Sequence, residues 1–153
     1  MFANILHLIV YSLMSLFLVI VILRFLLQLV RGDFYNPVSQ AIVKITMPML
    51  KPLRKFIPSV LGVDTASVVL IILVQLLATT ILSMIAGAPG LILNPLPIIV
   101  WGIVGALTII SSIFFWCMII SIIGSFIAPF SSHPLLTLAN QIINPLKIGR
   151  AHV

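Results

Sequence analysis

Arg24 stands inside an otherwise apolar run, ILHLIVYSLMSLFLVIVILRFLLQLV, and that setting makes it the first residue to weigh for chemistry. A guanidinium near the centre of a bilayer costs about 2.5 kcal/mol or more, so it marks a functional or paired position by default. Arg24 precedes Arg31 by two helical turns, roughly 10 Å at helical rise. Two readings follow. The side chain either finds a partner in the bundle, with Asp33, Asp64 or a carbonyl of a neighbouring helix as candidates, or it snorkels to the interface. Gln28 lies one turn further on and Gln75 lies in a second apolar run. Both suit interhelical hydrogen bonding better than ligand binding. Asp64 opens that second run and reads as a helix N-cap that complements the dipole. Asp33, beside Arg31, reads as a solvated turn residue.

A second cluster lies in NPVSQAIVKITMPMLKPLRKFIP, residues 36–58. It holds Lys44, Lys51, Arg54 and Lys55 with Pro37, Pro48, Pro52 and Pro58. Asn36 suits an N-cap and Pro37 the first helical turn. Val38, Ala41, Ile42, Ile45 and Met49 recur at helical spacing, with the basic residues largely between them. Pro48 removes a backbone donor and crowds the preceding turn, so a broken helix is expected there. The product is an amphipathic helix at the membrane surface, where each basic residue adds about 1 kcal/mol of attraction to an anionic leaflet.

Other chemistries find no support. His7 and His133 have no second ligand at zinc spacing, so no metal site is expected. Cys117 is the single cysteine, which rules out a disulfide framework, and it reads as a packing residue. There is no His-Glu-x-x-His, no Gly-x-Ser-x-Gly, no phosphate-binding glycine loop and no pair of aspartates. The chain is therefore not expected to be an enzyme or to carry a cofactor.

The elements that would position these residues follow from composition. Of 153 residues 62% are hydrophobic and only 7% charged, against about 25% charged in soluble domains. From Thr65 through Leu146 no residue is charged. The expected class is an all-α integral membrane protein. The formal charge of +6 then speaks for topology, and direct nucleic-acid binding is not expected. Spans are expected at about 5–30, 65–86 and 107–127, the last with a kinked or interfacial lead-in at 97–106. Gly102, Gly105, Ser111, Ser112, Ser121, Gly124 and Ser125 would give this third span a small-residue packing face. The first span lacks a basic leader and a small-residue cleavage site, so it is expected to stay as an anchor. Five of the basic residues fall between the first two spans, so residues 31–64 are expected in the cytoplasm and the N-terminus outside.

Setting Pro37 over Pro134 also sets Pro48 over Pro145 and Ile45 over Ile142. Each set follows a span and a polar turn. A tandem repeat in parallel orientation is the expectation, with a first unit at 1–90 and a partial second at 91–147 whose surface segment is 133–147. The tail Ile148–Val153 back-translates to the start of a common short-read sequencing adapter, so residues 148–153 are expected to be non-native.

These residues carry a resemblance. LRFLLQLVRGDFYNPVSQAIVKITMPMLKPLRKFIP followed by GVDTASVVLIILVQLL resembles the YggT family, called YlmG in Gram-positive bacteria. The motif elements are Arg24, Phe34-Tyr35-Asn36-Pro37, Pro48 with Pro52-Leu53-Arg54, and Asp64. Residues 97–146 resemble the second family repeat more weakly. The resemblance implies four spans, of which three are present, an inner-membrane location and no catalytic activity. It also implies conflicting roles: osmotic-shock tolerance and potassium balance, division-site or nucleoid organisation, and haem attachment in plastids. Two functions are carried forward. One is a non-catalytic scaffold or assembly factor that presents a basic helix to anionic lipid and to membrane protein partners, or to further copies of itself. The other is a component of an ion channel or transport system.

Overall fold

The computed structural model describes residues 1–60, 62–88, 90–127 and 132–148. They form six helices in the order α1 (Phe2–Leu29), α2 (Pro37–Phe56), α3 (Thr65–Ile85), α4 (Gly90–Leu93), α5 (Pro95–Ile127) and α6 (Pro134–Ile148). The protein is all-α, and α1, α3 and α5 are each long and apolar enough to cross a membrane. They pack on one another as a three-helix bundle. Its core is drawn from one stripe of each, including Leu18, Val21 and Ile22 of α1, Leu70 and Val74 of α3, and Ile113 and Cys117 of α5. Most other large side chains on these helices face outward, as Leu8, Leu13, Leu77 and Phe126 do. That is the pattern expected where lipid rather than water is the solvent, since hydrocarbon gives no drive to hide leucine.

Up-and-down connectivity brings the end of α1, the start of α3 and the end of α5 to the same end of the bundle. There α2 contacts α1, α3 and α6, and α6 contacts α5 and α1. Asn36 caps α2 as its sequence suggests, accepting from the Val38 amide at 2.9 Å, with Pro37 at the first helical position.

Three sequence expectations are corrected. The region at 97–106 is not a helical element of its own. It is continuous with the third span in a helix of 33 residues, about 50 Å long at 1.5 Å per residue. Second, α2 is not broken at Pro48. It runs through Pro48 and Pro52. The carbonyls freed by these prolines belong to Lys44 and Pro48, four residues earlier in each case, and both residues are exposed. At exposed positions such carbonyls are open to solvent, which can replace the lost bonds. Third, the small-residue face of α5 is split. Gly102 and Gly105 lie against Gln75 and Gly124 against Leu136, whereas Ser111, Ser112 and Ser125 are exposed. The expected non-native tail lies outside the described residues except for Ile148, which ends α6.

The basic cleft between α1 and α2

The site is built from α2. At about 100° per residue, its side chains divide into three stripes. Ser39, Ile42, Thr46 and Leu50 are buried against the spans. Ala41, Ile45, Met49, Pro52 and Phe56 point to a second side, and Ile45, Met49 and Phe56 are 50%, 47% and 84% exposed. Lys44, Lys51 and Lys55 form the third, with Arg54 beside it. The apolar repeat read from sequence therefore covers two faces. Ile42 and, in part, Val38 and Leu53 reach the core, while Ala41, Ile45 and Met49 look outward. Small polar residues, Ser39 and Thr46, fill the contact because they let α2 lie close to α1 and α3.

Arg24 is buried, with 4% of its surface exposed. Its Nη1 donates to Thr46 Oγ1 at 2.6 Å and to the Val43 carbonyl at 3.1 Å. Of the partners considered, a carbonyl of the next helix is the one the structure supplies; Asp33 and Asp64 are not bonded to it. Thr46 in turn donates to the Ile42 carbonyl at 2.8 Å, so its lone pairs are turned to the guanidinium. The Arg24 Nε is buried with no partner among the described residues.

Arg24 lines an open cleft of about 860 Å³ between α1 and α2. Gln28 and Phe34 flank it on the α1 side, and Gln40, Val43, Lys44, Met47, Pro48, Lys51 and Arg54 line it along α2. The cleft thus brings together four cations and two amides, and no carboxylate lines it. Lys55 is on the cationic side of α2 and does not line the cleft.

Asp64 is buried at the start of α3, 3% exposed. It stands at the N-cap position of α3, as expected, without a regular side-chain capping bond. The carboxylate instead takes a hydrogen bond from Ser67 Oγ at 2.7 Å and forms an ion pair with Arg54. A charged donor wins over an amide, because charge-assisted bonds are roughly twice as strong. Burial alone would raise the Asp64 carboxyl, but the bonds from Arg54 and Ser67 and the Arg54 charge outweigh it and hold the group below its ordinary 3.8. This pair ties the end of α2 to the start of α3.

The remaining candidates are placed as follows. Asp33 Oδ1 accepts from the Tyr35 amide at 2.8 Å in an exposed turn. Gln75 packs on Gly102 and Gly105, but its Oε1 is buried without a partner among the described residues, so the expected interhelical bond is not made there. Sequence reasoning overlooked Thr46, Ser39 and the pair formed by Ser121 Oγ and Asn140 Oδ1 at 2.6 Å. A signal did exist: Ser39 and Thr46 share the helical register of Ile42 and Leu50. The Ser121–Asn140 bond and the Arg24–Val43 bond each span 19 residues. Each links a span to the helix after it.

A family model described as CCB3/YggT matches residues 3–85. An uncharacterized protein of Pseudomonas aeruginosa is 46% identical over 140 residues, covering 90% of this chain and 70% of its own. An uncharacterized protein from the proC 3′ region of Vibrio alginolyticus is 33% identical over 143 residues, 94% of this chain and 76% of its own. The uncharacterized protein YggT of Escherichia coli K12 is 28% identical over 148 residues, 94% and 75% of the two chains. No solved structure matches the chain.

Proposed function

The chain belongs to the CCB3/YggT family, and from that premise we propose that it is a non-catalytic scaffold of the inner membrane that holds a cationic helix against the cytoplasmic lipid surface. The three-sided character of α2 carries this reading. One side docks on the spans, one offers Ile45, Met49 and Phe56 to lipid, and one offers lysines to headgroups. A helix with both an apolar outer stripe and a basic stripe suits the boundary between acyl chains and phosphates. The Lys/Arg bias sets the α2 end of the bundle in the cytoplasm and the N-terminus outside. We further propose that α1–α3 and α5–α6 are a complete and a partial copy of one unit, with division-site, assembly or osmotic-stress roles exercised through partners on the cytoplasmic face. The paired 19-residue links support the repeat.

A second reading, part of an ion path, draws on the seam of about 390 Å³ where Ser15, Gln75, Thr79 and Thr108 meet between the spans. The two separate cleanly. Liposomes holding the purified chain should retain potassium as well as empty ones, while Lys55→Cys, in a Cys117→Ser background, should react with an impermeant maleimide only after spheroplasts are opened. A potassium leak that falls on Gln75→Leu would replace the scaffold reading, and labelling from outside would reverse the topology.

A further inference from the structure

We propose that the cleft between α1 and α2 is a discrete binding site for the phosphate of one anionic phospholipid, with Arg24 at its floor and Lys44, Lys51 and Arg54 along its wall. The proposal rests on the membrane-surface reading of α2 and sharpens it from a diffuse charged face to a stoichiometric site.

Four observations carry it. Arg24, Lys44, Lys51 and Arg54 converge on one cavity, although α2 also carries Lys55, which stays outside it. Neither acid of the chain intrudes. Asp33 is engaged by the Tyr35 amide, and Asp64 is committed to Arg54 and Ser67. Asp64 thus compensates Arg54, and the charges of Arg24, Lys44 and Lys51 are left for an outside anion. The buried Arg24 Nε has no partner, and a buried donor without one costs about 1–3 kcal/mol. A phosphate at the floor would instead compensate the charge of a guanidinium whose protein partners, Thr46 and the Val43 carbonyl, are neutral. Finally, Phe34 and Met47 line the same cleft, and Ile45 and Met49 lie exposed on the adjoining side of α2. A free phosphate has no use for these apolar neighbours, whereas the glycerol and first acyl carbons of a lipid do. The cleft is also deep enough to matter. Arg24 sits about one and a half turns inside the end of α1, so the phosphate would be drawn below the plane reached by the exposed lysines.

The test uses the full chain, delipidated in a neutral detergent, with bound lipids counted by native mass spectrometry. Phosphatidylglycerol should bind as one retained molecule. Phosphatidylcholine should not, and inorganic phosphate at equal concentration should not displace it. Lys51→Gln should weaken retention about fivefold. Lys55→Gln should leave it unchanged, because that residue shares the charge of the helix and does not line the cleft. Arg24→Lys, which keeps the charge and loses the planar guanidinium, should weaken retention with the fold intact by circular dichroism; if it does not fold, the two lysine variants still decide. Equal losses for Lys51→Gln and Lys55→Gln would overturn the site and leave the diffuse surface reading standing. Competition by inorganic phosphate would overturn the lipid as its occupant. No preference for phosphatidylglycerol at all would remove the site, whereas the scaffold reading falls only to the labelling and flux measurements above.

Discussion

Two buried ionic groups set the residue-scale behaviour, and their partners differ in kind. Arg24 is held by neutral acceptors, Thr46 Oγ1 and the Val43 carbonyl. Thr46→Val keeps the volume and deletes one bond to a charged donor, which should cost about 1.5–3 kcal/mol and lower the thermal midpoint in detergent. Asp64 and Arg54 are unequal in burial, 3% against 39% exposed. Arg54→Ala strands a buried carboxylate, so about 3 kcal/mol is expected. Asp64→Ala releases an arginine that can reach water, so its cost should be smaller. The reverse order would show that the Asp64 carboxylate is not the buried member of the pair. The same pair fixes the pH response. The folded carboxyl lies below its unfolded value, so the unfolded chain binds more protons in acid. The contribution is complete above about pH 4 and is lost as pH falls through the folded value. Only two acidic side chains exist. Acid melting therefore reports on Asp64 to an unusual degree, and Asp64→Asn should flatten the limb below pH 4. Arg24 was legible in the sequence because a cation among leucines must find a partner. Thr46 was not, because a threonine in an amphipathic segment looks the same on its wet side as on its buried side until the docking face is known.

At the scale of elements, α1 and α3 end in the same way with different residues. In α1, Arg31 has φ 52°, its amide bonds the Gln28 carbonyl and the Gly32 amide bonds the Leu27 carbonyl. In α3, Gly87 has φ 75°, and the amides of Gly87 and Ala88 reach Met84 and Ser83. Both are Schellman endings, whose left-handed position favours glycine. In α1 the glycine stands one place later, because a Cβ on Gly32 would press on Leu27 and on Gln141 of α6. Arg31 thus carries the strain, roughly 1–2 kcal/mol. Arg31→Gly should stabilise by about 0.5–1 kcal/mol after its extra unfolded-state freedom is subtracted. Gly87→Ala should destabilise by about 1–2 kcal/mol. Opposite shifts in the melting midpoint check both. The spans and the cap of α2 were readable from hydropathy and Asn36-Pro37. The continuity of α2 across Pro48 was not, since whether a proline breaks a helix depends on where the freed carbonyl points. The unbroken α5 was hidden for a related reason: length beyond one crossing looks like two elements when no charge marks the boundary.

At the scale of the whole molecule, the question is what joins the first three helices to the last. The corner between α1 and α2 docks on α6 by two bonds, Asn36 Nδ2 to the Pro134 carbonyl at 2.8 Å and the Asp33 amide to Gln141 Oε1 at 2.9 Å. Leu138, Ala139, Ile142 and Ile143 supply the buried side of α6. No sequence pattern announces these bonds, because a polar corner reads as solvated until a second helix is laid over it. Asn36 has two separable duties. Its Oδ1 caps α2 and its Nδ2 holds α6. Asn36→Asp keeps a good cap and replaces the donor with an oxygen that repels the Pro134 carbonyl. Amide exchange should then quicken along α6 and leave α2 protected, since local opening follows the contacts that are lost. Asn36→Ala should loosen both helices. If the two variants loosened α2 equally, the cap and the tie to α6 would be one interaction, and the surface presented by α2 would depend on α6 for its shape.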